Sequence, residues 1–504
     1  MTLHHDDNNA QVRRTLHDRG ICVVIPTYNN HATIRQVIES VLGYCSDVIV
    51  VDDGCTDGTA DIINEIDGIT VVSCPYNRGK GHALKLGFKR ALQLGFSYAI
   101  TLDADGQHFA DDIPAFLKKN QEHPGTLIVG NRNLRGVDRS GGSSFANKFS
   151  NFWFWVQTGR ALPDTQTGYR LYPLKKLKGL SLLTSRYEAE LELMVFASWH
   201  GVEICTVPVK VFYPPRAERV SHFRPAIDFG RISLLNTVLC ALAVVYGLPL
   251  RLWRVMMRYL RTGYSIAFFL INSCILTMPI VWFETHTGPM TNRKRDTLRR
   301  FIHTAARFIM VTHGIPGTKF VCRKPANIDF SKPRVIICNH QSHLDLMCQL
   351  ALAHNMVFLT NDWVWNNPCY GSLIRNAEYL PATKGMDAIM PQIRSLVERG
   401  CSIAVYPEGT RSRDGSVGRF HQGAFYIAQQ LGLEVLPMYL YGANKVLKKK
   451  TYHLNKGQIY IEVGQPVSRD ELERIGDTRH QALHFRSLYK QKTEQLSNKI
   501  DQDA

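Results

Sequence analysis

The chain has 504 residues, 45% hydrophobic and 20% charged, with a formal net charge of +17 and twelve cysteines. Length and composition exclude a single small core and a disordered chain, and the absence of any CxxC pair excludes a zinc ribbon or disulfide scaffold and favours reduced thiols. The positive excess calls for anionic partners; nucleic acid is excluded among them, because the basic residues do not interleave with aromatics and no nucleic-acid-binding pattern occurs.

The first twenty residues form a polar tail without the apolar run of a secretory signal; His4, His5, Asp6 and Asp7 within it read as solvated rather than metal-binding. From residue 21 to about 215, apolar runs at 21–28, 47–53, 69–74, 98–105 and 126–132 alternate with segments of helical spacing. That alternation predicts a doubly wound, mostly parallel α/β sheet, with ligands at the carboxyl ends of the strands. Asp52, Asp53, Asp103 and Asp105 all fall at such ends. Asp103 and Asp105, one residue apart on a turn, suit a hard divalent cation that also meets a diphosphate. In NRGKGHA, Arg78 and Lys80 stand between glycines, a pattern that fits phosphate oxygens.

Six stretches, IPTYNN, VDDGCTDGT, NRGKGHALKLGF, TLDADGQH, DTQTGYRLY and RYEAELEL, occur in this order. The series resembles the inverting family-2 glycosyltransferases of GT-A fold, and most closely those that move sugars onto lipid or polyprenyl-phosphate acceptors. The resemblance implies a nucleotide-sugar site formed by Pro26, Tyr28, Asp52, Asp53, Arg78, Lys80, Asp103, Asp164, Gln166 and Arg170. It further implies Mg or Mn at Asp103 and Asp105. The acceptor hydroxyl needs a carboxylate base. Glu190 and Glu192 are the candidates and point apart if helical, with Asp164 as a rival.

Residues 232–250 and 262–283 carry no charge, and each run is long enough to cross a bilayer. Between them, Arg251, Arg254, Arg258 and Arg261 share one helical face. If both runs spanned, these four arginines and the cluster Arg293, Lys294, Arg295, Arg299 and Arg300 would place positive charge on both sides of the bilayer, so the expected arrangement is a monotopic hairpin with its arginines at the head groups.

From about residue 331 α/β texture returns, with strands expected in RVIICNH, MVFLTND, SIAVYPEG, EVLPMYLY and QIYIEVG. His340 and Asp345 form an H-x4-D pair after an apolar strand; a turn or helix start must separate them if they are to meet. Asp345 could then hold one imidazole nitrogen and leave the other as a base. Ser342 lacks the G-x-S-x-G elbow of a nucleophile, and His343 reads as a local hydrogen-bonding residue. With YPEGTRS at 406–412, the pattern resembles the glycerolipid acyltransferases of the lysophosphatidic-acid type. The resemblance implies that His340 is the base, that Asp345 orients it, and that Glu408, Gly409, Thr410 and Arg411 meet the acyl acceptor. The donor would be acyl-CoA or acyl-carrier protein. Two departures, AEYLPATKG with Lys384 and FHQG with His421 and Gln422, touch acceptor recognition.

The expected division is a tail (1–20), a glycosyltransferase domain (21–228), membrane-associating helices (229–300), an acyltransferase domain (301–470) and a helical tail (471–504). The expected function is a bifunctional lipid-modifying transferase at the cytoplasmic face of a bacterial inner membrane. In the alternative, only the first half is catalytic and the second is a lipid-binding module that docks on the membrane.

Overall fold

A computed structural model describes residues 2–132, 141–212, 225–312, 314–367 and 371–503; the side chains of His4, His5, Asp6, Asp7 and Lys384 lie outside that description. The chain forms two compact units, Met1–Arg254 with Asp501–Ala504, and Val255–Ile500.

The first unit runs α1 (Thr2–Asp18), β1 (Ile21–Thr27), α2 (Ile34–Leu42), β2 (Val48–Asp52), α3 (Thr59–Asn64), β3 (Ile69–Ser73), α4 (Lys80–Gln93), β4 (Tyr98–Thr101), α5 (Ile113–Glu122), β5 (Leu127–Arg132), α6 (Gly141–Thr158), β6 (Arg170–Pro173), α7 (Leu174–Leu177), α8 (Glu188–Trp199), β7 (Ile204–Val209) and α9 (Pro225–Leu242). Its sheet has the order β3-β2-β1-β4-β6-β5-β7, with only β6 antiparallel to its neighbours. Alternate residues of the central strands enter opposite cores. Ile21, Val23, Ile25, Val48 and Val50 face one side, and Cys22, Val24, Ile49 and Val51 face the other. Burial on both faces is why these strands read as continuous apolar runs. Strand order reverses between β1 and β4, which opens the sheet's carboxyl edge beside Asp103. β6 and β7 were not legible as strands. β7 is an edge strand and tolerates Pro208, a residue that argues against a strand in sequence.

Helices α9, α10 (Leu248–Ile271) and α11 (Met278–His286) follow one another through π turns at Ala243–Gly247 and Asn272–Thr277. The expected hairpin does not form: residues 225–286 are helical throughout, because RLWRVMMRYLR holds no glycine or proline. Each π turn lies just before a proline, Pro249 or Pro279. The ring would collide with the carbonyl four residues earlier, and widening the turn relieves that clash. The arginine face is also corrected in part: Arg254 donates to the Trp199 carbonyl and Arg261 to the Leu454 carbonyl at 3.2 Å, rather than both reaching head groups.

The second unit continues with α12 (Asn292–Val311), β8 (Thr318–Arg323), β9 (Val335–Cys338), α13 (Leu344–Leu350), β10 (Met356–Thr360), α14 (Asp362–Trp365), α15 (Gly371–Asn376), β11 (Leu380–Pro381), α16 (Met386–Glu398), β12 (Ser402–Val405), α17 (Gly423–Leu431), β13 (Val435–Tyr441), α18 (Ala443–Val446), β14 (Gly457–Val463), α19 (Arg469–Ile475) and α20 (Thr478–Asp503). Its sheet order is β11-β10-β12-β9-β13-β14-β8. One core, built on Ile336, Cys338, Ile403, Leu436 and Met438, fills it. Parallel pairing of Val405 with Ile337 sets the ends of β12 and β9 side by side.

Candidate functional site

In the first unit, Lys80 opens α4 and reaches two carboxylates. Its Nζ lies 2.6 Å from Asp103 Oδ1 and 2.8 Å from Glu190 Oε2. Burial alone would lower the lysine pKa, but the two anions outweigh it and the net shift is upward. Burial likewise pushes Asp103 up, but Lys80 and His108 more than offset that and its pKa is lowered. At Asp105 the balance differs: burial, then the charge of Asp103, pushes it up to about 6, and Lys80 offsets only part of that. Gly168 packs against this pair. A Cβ there would collide with the Asp103 carboxylate and lie 2.6 Å from Lys80 Nζ, so only glycine permits the approach. His108 went unnoticed in sequence although it closes TLDADGQH; burial pulls its imidazole down to about 4 and its ring packs on Tyr169.

The two candidate glutamates separate as an i,i+2 pair on a helix must. Glu190 joins Lys80, and its Oε1 is buried without a partner among the described residues. Glu192 turns away; its carboxylate accepts from Leu183 N at 2.5 Å, and from Thr184 N at 2.9 Å and Thr184 Oγ1 at 2.5 Å. It pins a loop and is not placed to act as a base.

Other expected ligand residues also hold backbone. Asp52 accepts from Cys55 N at 2.8 Å, and Asp53 from Arg78 N at 3.0 Å and Gly79 N at 2.7 Å. Asp53 thereby shapes the turn that delivers Lys80, and Arg78 itself is exposed. Pro26 is buried in β1, and Tyr28 is half-buried just beyond it. Two expectations need correction. Asp164, fully buried, forms a two-pronged ion pair with Arg132 at 2.7 and 2.9 Å, and so is not a free base. Arg170, 1% exposed, donates to the carbonyls of Glu190 and Thr165 and to the Tyr172 hydroxyl, so its guanidinium braces the site from behind instead of facing phosphate. Gln166 is exposed, and its N–H donates to Asp164.

In the second unit, His340 leaves the end of β9 and Asp345 lies in the first turn of α13. The intervening turn brings them together: His340 Nδ1 is 2.8 Å from Asp345 Oδ2. The same oxygen accepts from Gln341 N at 2.5 Å and Ser342 N at 2.8 Å. Burial pushes the Asp345 carboxyl above its usual range, and the His340 hydrogen bond offsets only part of that. With Nδ1 held by the carboxylate, Nε2 keeps its lone pair. The ring stacks on Tyr406 at 4.1 Å, a contact foreshadowed only by the position of Tyr406 immediately before PEGT. Asn339 explains the first letter of NHQSHLD, since its side chain exchanges two 2.8 Å hydrogen bonds with the Leu440 backbone.

YPEGTRS meets this turn. Ser412 N donates to the His340 carbonyl at 2.8 Å. Glu408 departs from its expected role: its oxygens accept from His340 N at 2.9 Å and Gly418 N at 2.8 Å, so it fixes the histidine's backbone and does not meet an acceptor. Gly409 takes φ +66°, Thr410 is exposed and Arg411 is half-buried beside them. Lys449, missed in sequence, donates to the Arg411 carbonyl at 2.5 Å. Ser342 Oγ donates to the Leu447 carbonyl at 2.9 Å, which ties its hydroxyl to backbone.

Residues 22–178 match the model of glycosyl transferase family 2, and residues 319–441 match the acyltransferase model. An uncharacterised protein of Methanocaldococcus jannaschii is 31% identical over 217 residues, 41% of this chain and 86% of that protein. The UDP-N-acetylglucosamine–dolichyl-phosphate N-acetylglucosaminyltransferase of Methanococcus voltae is 29% identical, over 39% of this chain and 87% of that one. A chloroplastic 1-acyl-sn-glycerol-3-phosphate acyltransferase of Brassica napus is 31% identical over 36% of this chain, which spans 54% of that relative's length. With each half matched in its own unit, the chain belongs to glycosyl transferase family 2 through its first part, is similar to the acyltransferases through its second, and is a transferase that joins the two.

Proposed function

We propose that the first unit transfers a sugar, with inversion, from a nucleotide sugar to a lipid-like acceptor such as a polyprenyl phosphate, and that the second transfers an acyl group from acyl-CoA or acyl-carrier protein to a hydroxyl. One observation carries the reading: each unit closes a separate polar constellation, Lys80–Asp103–Glu190 in one and His340–Asp345 in the other, at the carboxyl edge of its own sheet. The relatives' names support the substrate classes: one acts with a dolichyl phosphate, the other on a monoacylglycerol phosphate.

For sugar transfer, Asp103 and Asp105 would hold Mg or Mn. The fit is supported by the donor set, two hard carboxylates one residue apart on the turn after β4, both half-buried. Such a cation supplies charge neutralisation for the departing diphosphate. Glu190 receives the acceptor's proton through its unpartnered oxygen, and the acceptor oxygen displaces the nucleoside diphosphate from the anomeric carbon. Lys80 keeps Glu190 and Asp103 in place and neutralises charge between them. Asp52 and Asp53, with Pro26 and Tyr28, shape the nucleotide end.

For acyl transfer, His340 Nε2 takes the proton of the acceptor hydroxyl, whose oxygen attacks the thioester carbonyl. The tetrahedral adduct collapses, the ester forms, and the leaving thiolate takes the proton back from the imidazolium. Asp345 stabilises the imidazolium, and no acyl-enzyme is needed. Arg411 and Thr410 lie where an anionic acceptor would approach. Both donors are cytosolic molecules, which supports placement at the cytoplasmic face of a membrane.

The test is mass spectrometry of lipids from cells expressing the wild type, Asp105→Ala or His340→Ala. The first variant should lose a hexose mass and the second an acyl mass. Acyl incorporation that persists in His340→Ala would make the second unit a lipid-binding module instead.

A further inference from the structure

We propose that a groove along α4 receives the apolar chain of the lipid acceptor while its head reacts beside Glu190. This rests on reading the first unit as a lipid-directed glycosyltransferase, and adds where the lipid lies. The groove encloses about 540 Å³, within the range of small-molecule sites. One wall is a stripe of α4, Leu84, Phe88 and Leu92, spaced four apart and therefore on one face. The facing wall comes from the link after β6, with Leu177, Leu180 and Leu182.

The shape selects the occupant. Both Gly81 and Gln93 line the groove, so it follows α4 for twelve helical steps, about 18 Å at the helical rise. A slot that long, walled mainly by leucine and phenylalanine, suits a hydrocarbon chain. Its Gly81 end adjoins Lys80, and Glu190 is part of its lining. Glu190 is 7% exposed, and its Oε1 has no partner among the described residues. A chain seated in the groove thus carries its head to a carboxylate oxygen left to receive a proton. The facing wall is tied down, because Lys85 Nζ donates to the Leu182 carbonyl at 3.4 Å and the Thr184 carbonyl at 2.9 Å. Exposed Lys89 and Lys178 flank the outer length, charge that suits entry from an anionic lipid surface.

The experiment uses the full chain and a diazirine-bearing phytanyl phosphate as photoprobe. Adducts should map to peptides covering 84–92 and 177–182, diminish with unlabelled phytanyl phosphate, and ignore inorganic phosphate. Leu180→Trp, at a half-buried position of the link, should cut that labelling about tenfold and raise the KM for phytanyl phosphate by a similar factor, with acyl transfer by the second unit unchanged. Leu180→Glu should act in the same direction without adding bulk. Adducts confined to residues 225–286, or labelling unchanged in both variants, overturn the groove. Labelling in the groove by a wild type that transfers no sugar would leave the groove standing and sink the glycosyltransferase reading, so the two failures are distinct.

Discussion

At the scale of single residues, two glutamates one residue apart have opposite fates. Glu190→Gln keeps the shape of the side chain and removes its capacity to take a proton, so glycosyl transfer should fall about 10²–10⁴-fold while the fold persists. Glu192→Gln disturbs three hydrogen bonds into the 183–184 loop and should cost roughly 1–3 kcal/mol of stability, with kcat changed little. Denaturant titration paired with a transfer assay separates the two outcomes. In the second unit, His340→Ala should lower acyl transfer about 10²–10⁴-fold and leave glycosyl transfer intact. Helical spacing told the reader that only one glutamate could face the sugar, and it could not say which, because the deciding partner, Lys80, comes from a distant helix. The same limit explains Asp164, Arg170 and Glu408. A polar residue at a strand end that braces backbone carries the same sequence mark as one that meets a ligand, and only the long-range partner tells them apart.

At the scale of elements, the second unit joins α12, the α15–β11 link and the end of α16 through one carboxylate. Glu378 lies 3.1 Å from Arg299, 3.6 Å from Arg295 and 2.8 Å from Arg399. It also adopts φ +65°, so the backbone there is held by its contacts. Burial would raise the Glu378 pKa, but Arg399, then Arg295 and Arg299, pull it below its ordinary 4.5. A lowered folded-state pKa contributes stability above 4.5 that is lost as pH falls through the folded value. Glu378→Gln should therefore cost on the order of 3 kcal/mol near neutrality and flatten the acid limb of the stability profile, as read by urea unfolding across pH. Arg295 and Arg299 stand out in sequence within a basic cluster, whereas Arg399 and the shared partner Glu378 do not. Central strands such as β1 and β2 were legible because burial on both faces leaves unbroken apolar runs, whereas edge strand β8 has no fully buried residue, with Lys319, Cys322 and Arg323 exposed and the rest half-buried. The helical character of 251–261 was legible too; its continuity through the flanking apolar runs was not, since two π turns, not a reversal, absorb Pro249 and Pro279.

At the scale of the whole molecule, the question is what holds the protein to lipid. The 45-residue helix Ile227–Ile271 is long and apolar enough to cross a bilayer. Large apolar side chains stay open along it and beyond: Leu252 at 59%, Trp253 at 57%, Tyr259 at 65%, Leu260 at 57%, Trp282 at 63% and Phe283 at 58% exposure. Soluble surfaces rarely leave so many large apolar side chains uncovered along one stretch of chain. Charge offers a rival explanation, since the chain carries +17 and a basic residue near an anionic surface is worth about 1 kcal/mol. Salt decides between them. At roughly 1 M the screening length shrinks to about 3 Å, and an attachment made by charge is released. Burial of a large apolar side chain, about 1.5–3 kcal/mol each, is untouched by screening. The protein should therefore remain with membranes through a high-salt wash and leave only with detergent. Replacing Trp253, Leu260, Trp282 and Phe283 by serine should move it to the salt-extractable fraction while both transfer reactions persist on soluble substrate analogues. Quantitative release of the wild type by salt alone would mean that the arginines and lysines hold it, and that the open apolar face has some other cover.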